Sequence, residues 1–160
     1  MAVDLKKRNV WMYTTEYKNT TFDENVKEGV IVSDTKTSTP FNWKMYYNSL
    51  SLDEKIKEFY EPVYKRVINP RDPKKHMSGF VEGINIGDYI ISRRKHSFIE
   101  GIGVVEGEYE FIGNRHIRKV KWISFKENVP FEFRGSHWRQ ITLIKGDQLP
   151  IAEKLLNKYL

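Results

Sequence analysis

Residues 86–125 read IGDYIISRRKHSFIEGIGVVEGEYEFIGNRHIRKVKWISF, and this stretch decides the fold. Tyr89-Ile90-Ile91 is an apolar run introduced by the Gly87-Asp88 turn. A second run covers 101–107, with 109–111 extending it, and a third, 117–125, alternates in part. Short runs of this kind, bounded by Gly, Ser and charged residues, are strands joined by local turns. Gly101 and Gly103 stand inside a strand pattern, where a missing side chain lets backbones approach closely in a curved sheet.

Upstream, Val10, Trp11, Met12 and Tyr13 make residues 9–14 a first strand. Residues 20–29 read as a short helix or turn ending on Gly29, and 29–33 as a second strand. A polar loop, 34–40, leads to an aromatic cluster at 41–47 holding Phe41, Trp43, Tyr46 and Tyr47. A helix opens at Ser51, which forms a capping box with Glu54. Ile56, Phe59, Tyr60, Val63 and Val67 recur along it at helical spacing, and Pro62 kinks it. Downstream, 131–134 and 140–144 are shorter strand candidates. Residues 149–159 form a terminal helix with Pro150 near its start, where a missing donor costs nothing. The expected fold is α+β: one domain over residues 1–160, a mixed β-barrel flanked by helices. The chain stops just after that last helix, which suits a domain cut from a longer protein and equally a natural end.

The 160 residues carry 27 Lys+Arg against 21 Asp+Glu, a formal net charge of +6. That balance favours a polyanionic partner, although a charged surface of Lys and Glu serves solubility as well. The absence of cysteine excludes disulfides and thiolate zinc sites and fits a reducing cytoplasm. No apolar window reaches the length of a membrane span, so no membrane partner is expected.

Catalytic signatures are missing. There is no P-loop, no HExxH and no calcium-loop pattern. His76, His96, His116 and His137 are scattered among basic or polar neighbours, which suits phosphate contact or plain exposure better than metal ligation. Glu106, Glu108 and Glu110 alternate along one strand as a solvated face would. The chain is expected to be a recognition module, without a cofactor or metal and not an enzyme.

Three basic tracts point to a phosphate backbone. Arg93, Arg94, Lys95 and His96 fall in a turn between strands. Arg115, Arg118, Lys119 and Lys121 enter the next strand. Lys65, Arg66, Arg71, Lys74 and Lys75 surround the Pro-rich loop. Clustered cations at loop tips hold phosphates, and a solvated hairpin is the alternative. Trp43 and Trp138 stand outside the strand patterns beside cations, where an indole can stack a base; a core position is the competing reading. Trp11 and Trp122 sit in strand patterns and belong to the core.

The order of these pieces resembles a known family. Val10-Trp11-Met12-Tyr13-Thr14-Thr15-Glu16 resembles the first strand and following step of EVE domains. Gly87-Asp88-Tyr89-Ile90-Ile91 and then Gly101-Ile102-Gly103-Val104-Val105 resemble their central strands. Lys119-Val120-Lys121-Trp122-Ile123, followed by Val129-Pro130-Phe131, resembles a strand shared with YTH domains. The resemblance implies a PUA-like (EVE/YTH-type) fold. It is strongest to the N-terminal DNA-recognition domains of archaeal McrB-type proteins of methylation-dependent restriction systems. It further implies a reader that flips a base of methylated DNA into an aromatic pocket, in a parent protein that works with an AAA+ motor and a nuclease subunit. Thr14, Thr15, Glu16 and Asp147 match the positions of base-reading groups. Ile31 stands where YTH domains keep a pocket Trp, so Trp43 or Trp138 has to supply that wall. RNA is the alternative partner, and a protein-interaction or structural module is the alternative of another class.

Overall fold

The computed structural model describes residues 3–15, 21–33, 42–55, 79–94, 98–113, 115–133 and 140–160. Its strands are β1 (Val10–Thr15), β2 (Val30–Ser33), β3 (Tyr89–Arg94), β4 (Phe98–Val105), β5 (Glu110–Ile112), β6 (Arg115–Pro130) and β7 (Ile141–Leu143). Its α-helices are α1 (Phe22–Glu28), α2 (Trp43–Ser49), α3 (Leu52–Lys55) and α4 (Leu149–Tyr159).

Local chemistry sets the helix ends. Thr21 Oγ1 accepts from the Glu24 amide and the Glu24 carboxylate accepts from the Thr21 amide, a complete capping box that starts α1. Gly29 ends it at φ 67°, a left-handed conformation open to a residue without Cβ. Asn42 Oδ1 accepts from the Met45 amide at the start of α2, and Ser51 Oγ from the Glu54 amide at the start of α3. The aromatic cluster expected at 41–47 is therefore largely a helix. The longer helix expected from Ser51 is described only over Leu52–Lys55, and its continuation lies outside the described residues.

The strands form one mixed sheet in the order β2-β6-β4-β3-β1-β7, with β5 also on β6. β1 and β3 run parallel, with Val10 opposite Tyr89 and Met12 opposite Ile91; the other pairings are antiparallel. The sheet curls into a half-barrel. Tyr13 proves the curl: its hydroxyl donates to Val32 O at 2.9 Å and accepts from Val32 N at 3.1 Å, so β1 touches β2 across the interior although three strands separate them in the sheet. The fold class is α+β, as expected, with the terminal helix where it was placed. The remaining strand bounds shift. Residues 131–133 are not a strand, Arg134 is outside the described residues, and β6 runs to Pro130.

Alternation divides the side chains between two cores. Inside the curl lie Trp11, Tyr13, Ile31, Trp43, Phe80, Ile90, Val105, Tyr109 and Val120. On the other face Val10, Met12, Ile91, Ile102 and Phe133 pack with Ala152 and Leu156 of α4. Gly101 and Gly103 make the curl possible. A Cβ on Gly103 would stand 2.4 Å from Val120 Cγ1, and one on Gly101 2.6 Å from both Ile123 O and Phe22 Cζ.

Asp88, 3% exposed, ties the parallel pair at its root. Its Oδ1 accepts from Asn9 N at 3.1 Å, and its Oδ2 from Trp11 Nε1 at 3.0 Å and Asn85 N at 2.9 Å. Removing the carboxylate strands three donors. Asp88→Ala is therefore expected to destabilise the domain by at least ~3 kcal/mol, since each buried unsatisfied donor costs ~1–3 kcal/mol. Asp88→Asn, which keeps one acceptor oxygen, should recover part of the loss in a denaturant titration followed by Trp fluorescence. Equal midpoints for Asp88→Ala and the native chain would refute this role.

Candidate functional site

The carboxyl ends of the parallel strands, Thr15 of β1 and Arg94 of β3, lie side by side. Beside them β4 is irregular. Ser92 pairs with Gly101 and Arg93 with Ile99, so Glu100 has no opposite residue on β3. On the other flank Gly101 pairs with Ser124 and Ile99 with Val129, so β6 advances from 124 to 129 while β4 moves from 101 to 99. A bulge of this kind re-aims a side chain and opens a sheet. Here it turns Glu100 toward the interior, where Glu100 Oε2 lies 2.8 Å from Thr15 Oγ1 and 3.4 Å from Ser92 Oγ. Thr15 Oγ1 is also 3.3 Å from Arg93 O, but a hydroxyl has one hydrogen and the shorter contact takes it.

The gap between β4 and the detour of β6 is a cleft of about 380 Å³. Phe22, Phe98 and Phe125 supply aromatic walls, with Phe22 set edge-on to Trp122 at 5.3 Å. Glu100, Arg94, Ser124 and Asn128 add polar groups, and the Arg94 guanidinium stands 5.8 Å from the Phe98 ring centroid. Among the described lining residues Asp23, Glu100 and Glu127 outnumber the single cation Arg94. The volume falls in the ~300–1,000 Å³ range of small-ligand sites, but the lining is mostly polar, with Thr21, Asp23, Arg94, Glu100, Ser124, Glu127 and Asn128 beside the three phenylalanines.

The expected site residues do not converge here. Thr15 does, through Glu100. Thr14 alternates to the opposite face, fully buried, and its amide donates to Gln140 O at 2.8 Å. Asp147 is exposed in a single 3-10 turn, Gly146–Gln148, just after β7. Ile144 N donates to Val10 O, so Asp147 belongs to the amino end of β1. At ~3.3 Å per residue the other end of that strand is about 17 Å away. Glu16 and Trp138 lie outside the described residues, as do Lys74, Lys75 and Lys95.

Trp43 is a correction. It is 1% exposed, opens α2 and packs in the interior core with Tyr46 at 5.5 Å. The polar neighbours Asn42 and Lys44 misled, because on a helix they project away from the face that Trp43 buries. Its amide donates to the Tyr109 hydroxyl at 3.1 Å, and that hydroxyl lies 2.6 Å from His116 Nδ1. The hydroxyl accepts from the amide and, with one hydrogen and a second lone pair, meets Nδ1 as donor or acceptor according to the His116 tautomer. His116 is thus a buried core histidine, 1% exposed, neither surface group nor phosphate contact.

Two of the expected phosphate contacts are corrected as well. Arg118 is 1% exposed. Its Nη1 is 2.6 Å from Ile84 O and 3.5 Å from Phe80 O and Val81 O, and its Nε donates to Gly107 O at 3.0 Å. It caps the carbonyls of a π-helical turn, Gly79–Gly83, which the sequence did not reveal. Burial pushes the Arg118 pKa down, and the charges of Glu108, Asp88 and Glu82 oppose that shift. Arg93 is 4% exposed, with its guanidinium 4.6 Å from the Phe131 ring centroid. Arg94 and Arg115 are exposed; Arg115 pairs with Glu28 at 3.0 Å.

Sequence reasoning missed Glu100, Phe98 and Phe22. The signal was there: an acid set between Ile99 and Gly101 within an apolar run, with a strand glycine marking a bulge. Among the described residues no group of three or more acidic or His side chains is placed to hold a metal ion. No described helix is long and apolar enough to cross a membrane.

Two outcomes separate core from surface. Trp43→Ala should cost ~3–5 kcal/mol of stability, the range for buried aromatic truncation, as read by denaturant midpoint. Burial pushes the Tyr109 pKa above its ordinary 10.0, with the Trp43 amide opposing in part. A raised folded pKa means that the neutral phenol's contribution is fully present below about pH 10 and is lost as pH rises through the folded value. Tyr109→Phe should flatten that alkaline fall in melting temperature; an unchanged alkaline slope would show that Tyr109 does not titrate with unfolding.

No curated protein matches the chain, and no solved structure does. A family model does match, over residues 14–145, which takes in the strand-end pair, the bulge and the cleft. On that match the chain belongs to the domain family of unknown function DUF8426.

Proposed function

We propose that this domain recognises nucleic acid by seating one unpaired base in the cleft beside Glu100. The observation that carries the reading is the cleft itself: aromatic walls from Phe22, Phe98 and Phe125 around a carboxylate anchored by Thr15 and Ser92. A base is a flat π-surface with a hydrogen-bonding edge, and this lining offers a partner to each part. The acidic excess in the cleft disfavours a phosphate there. Phosphates would instead meet cations outside it, and the net charge of +6 supports long-range attraction.

In this reading the fold is PUA-like of the EVE/YTH type. The curled mixed sheet, with its aromatic first strand, its Gly87-Asp88 turn and its glycine-bearing β4, supports that. Methylated DNA is the first target, as the resemblance to McrB-type recognition domains implies. The domain would then be a non-catalytic targeting module acting with an AAA+ motor and a nuclease subunit. In this reading the pocket is the strand-end cleft, since Trp43 is buried in the interior core.

The test is a binding panel by fluorescence anisotropy: methylated duplex, unmodified duplex, single-stranded DNA and RNA, each at several salt concentrations. Log K should fall with log salt by about 0.9 for every duplex phosphate neutralised. Phe98→Ala should weaken binding by ~1–3 kcal/mol, the stacking of one base. Arg115→Ala, which removes an exposed cation outside the cleft, should lower the salt slope by about one contact. Arg118→Ala should leave the slope alone and lower the melting temperature, because its charge serves backbone carbonyls. Tightest binding to RNA would reassign the partner. If no polyanion binds at low salt, the domain is an interaction or structural module instead.

A further inference from the structure

We infer that the groove between α4 and the end of β6 is a self-association surface whose occupant is the same groove of a second copy of this chain, a role independent of base seating. The groove has a volume of about 340 Å³. One wall is α4. The other runs from Glu127 to Pro130 of β6 and on to Glu132 and Phe133. The apolar face of α4 is wider than its contact with the sheet. Ala152 and Leu156 are fully buried in the second core. Ile151, Leu155 and Tyr159, which recur every four residues beside them, are only half-buried and line the groove. Val129 and Phe133 add apolar surface from the other wall.

Charge identifies the occupant. Lys154 and Lys158, about one helical turn apart, stand on the α4 wall, and Glu127 and Glu132 on the other. All four side chains are exposed, and none of them takes part in an ion pair. The groove thus carries two cations and two anions, sorted by wall and not neutralised within the chain. A polyanion or an acidic peptide would suit one wall and be repelled by the other, and a cationic partner the reverse. A second copy suits both. A two-fold axis running along the groove sets each lysine wall over the partner's glutamate wall, and the half-buried apolar flanks meet between them. With 11 residues α4 is about 16 Å long. The contact is therefore small, below the ~1,200 Å² of standard interfaces, so the dimer dissociates on dilution and weakens as salt screens its charge pairs.

The experiment is sedimentation equilibrium of the 160-residue chain over concentrations up to about 1 mM, at low and at high salt. The native chain should pass from monomer to dimer, and less readily at high salt. Lys154→Glu with Lys158→Glu makes the groove wholly acidic, and Glu127→Lys with Glu132→Lys makes it wholly basic. Each pair of changes alone should weaken self-association by about tenfold or more, because like charges then face each other. An equimolar mixture of the two variants should associate, and the chain carrying all four changes should regain the dimer. Melting temperatures check that the variants keep the fold; if one does not, the native dimer decides alone, and equal or tighter association at high salt overturns the inference. A native chain that stays monomeric at every concentration, or a dimer unchanged by both pairs of reversals, would overturn it too. Loss of the dimer in each variant with no recovery in the mixture would refute the two-fold pairing of the walls.

Discussion

The carboxylate of Asp88 is the constraint on which the rest of this half-barrel depends. β1 and β3 are parallel and lie far apart in sequence, so no hairpin turn sets their register. Asp88 does so by gathering the amides of Asn9 and Asn85 and the indole of Trp11. The register then places Tyr13 opposite Ser92 and Thr15 opposite Arg94. Every feature at the carboxyl ends of these strands follows from a bond made at their amino ends. Tyr13 carries the same order across the interior, because its hydroxyl joins β1 to β2 and to Asn25 of α1.

A second consequence is the way the sheet fails at one place. β4 must bend sharply, and its glycines allow that by letting Phe22, Val120 and Trp122 press against bare backbone. Where the bend relaxes, between Ile99 and Gly101, both neighbouring strands lose register with β4. Glu100 is the residue left over. A charged side chain in a strand interior would be costly if it pointed into the core. Here it turns to two hydroxyls and a cleft, so the irregularity and the polar lining have one cause.

The basic character of the chain divides in the same physical way. Arg118 lies inside because the π-helical turn leaves carbonyls that need donors, and a guanidinium meets several at once. Arg93 faces the second core, where it stacks on Phe131. Arg94, next in sequence, alternates to the side of the cleft. Adjacent arginines thus serve packing in one case and surface chemistry in the other, and formal charge overstates the cations available to a polyanion.

The sequence by itself determined the element types over most of the described chain. Apolar runs broken by glycine made β3, β4 and β6 legible, Gly29 marked the end of α1, and Pro150 with its apolar face marked α4. Those signals are local: a cap, a turn or a period is set within a few residues. It also determined that Gly101 and Gly103 sit where backbones crowd. What only the tertiary structure decided is every matter of facing. Trp43 looked like a loop aromatic until α2 turned it into the core. Arg118 looked like half of a basic tract until the turn at Gly79–Gly83 claimed it. Thr14, Thr15 and Asp147 looked like one reading head, yet alternation splits the first two and the length of β1 separates the third. Glu100 left only a local hint, an acid beside a strand glycine, because which residue a bulge turns out is settled by the mismatch between strands and so by their pairing.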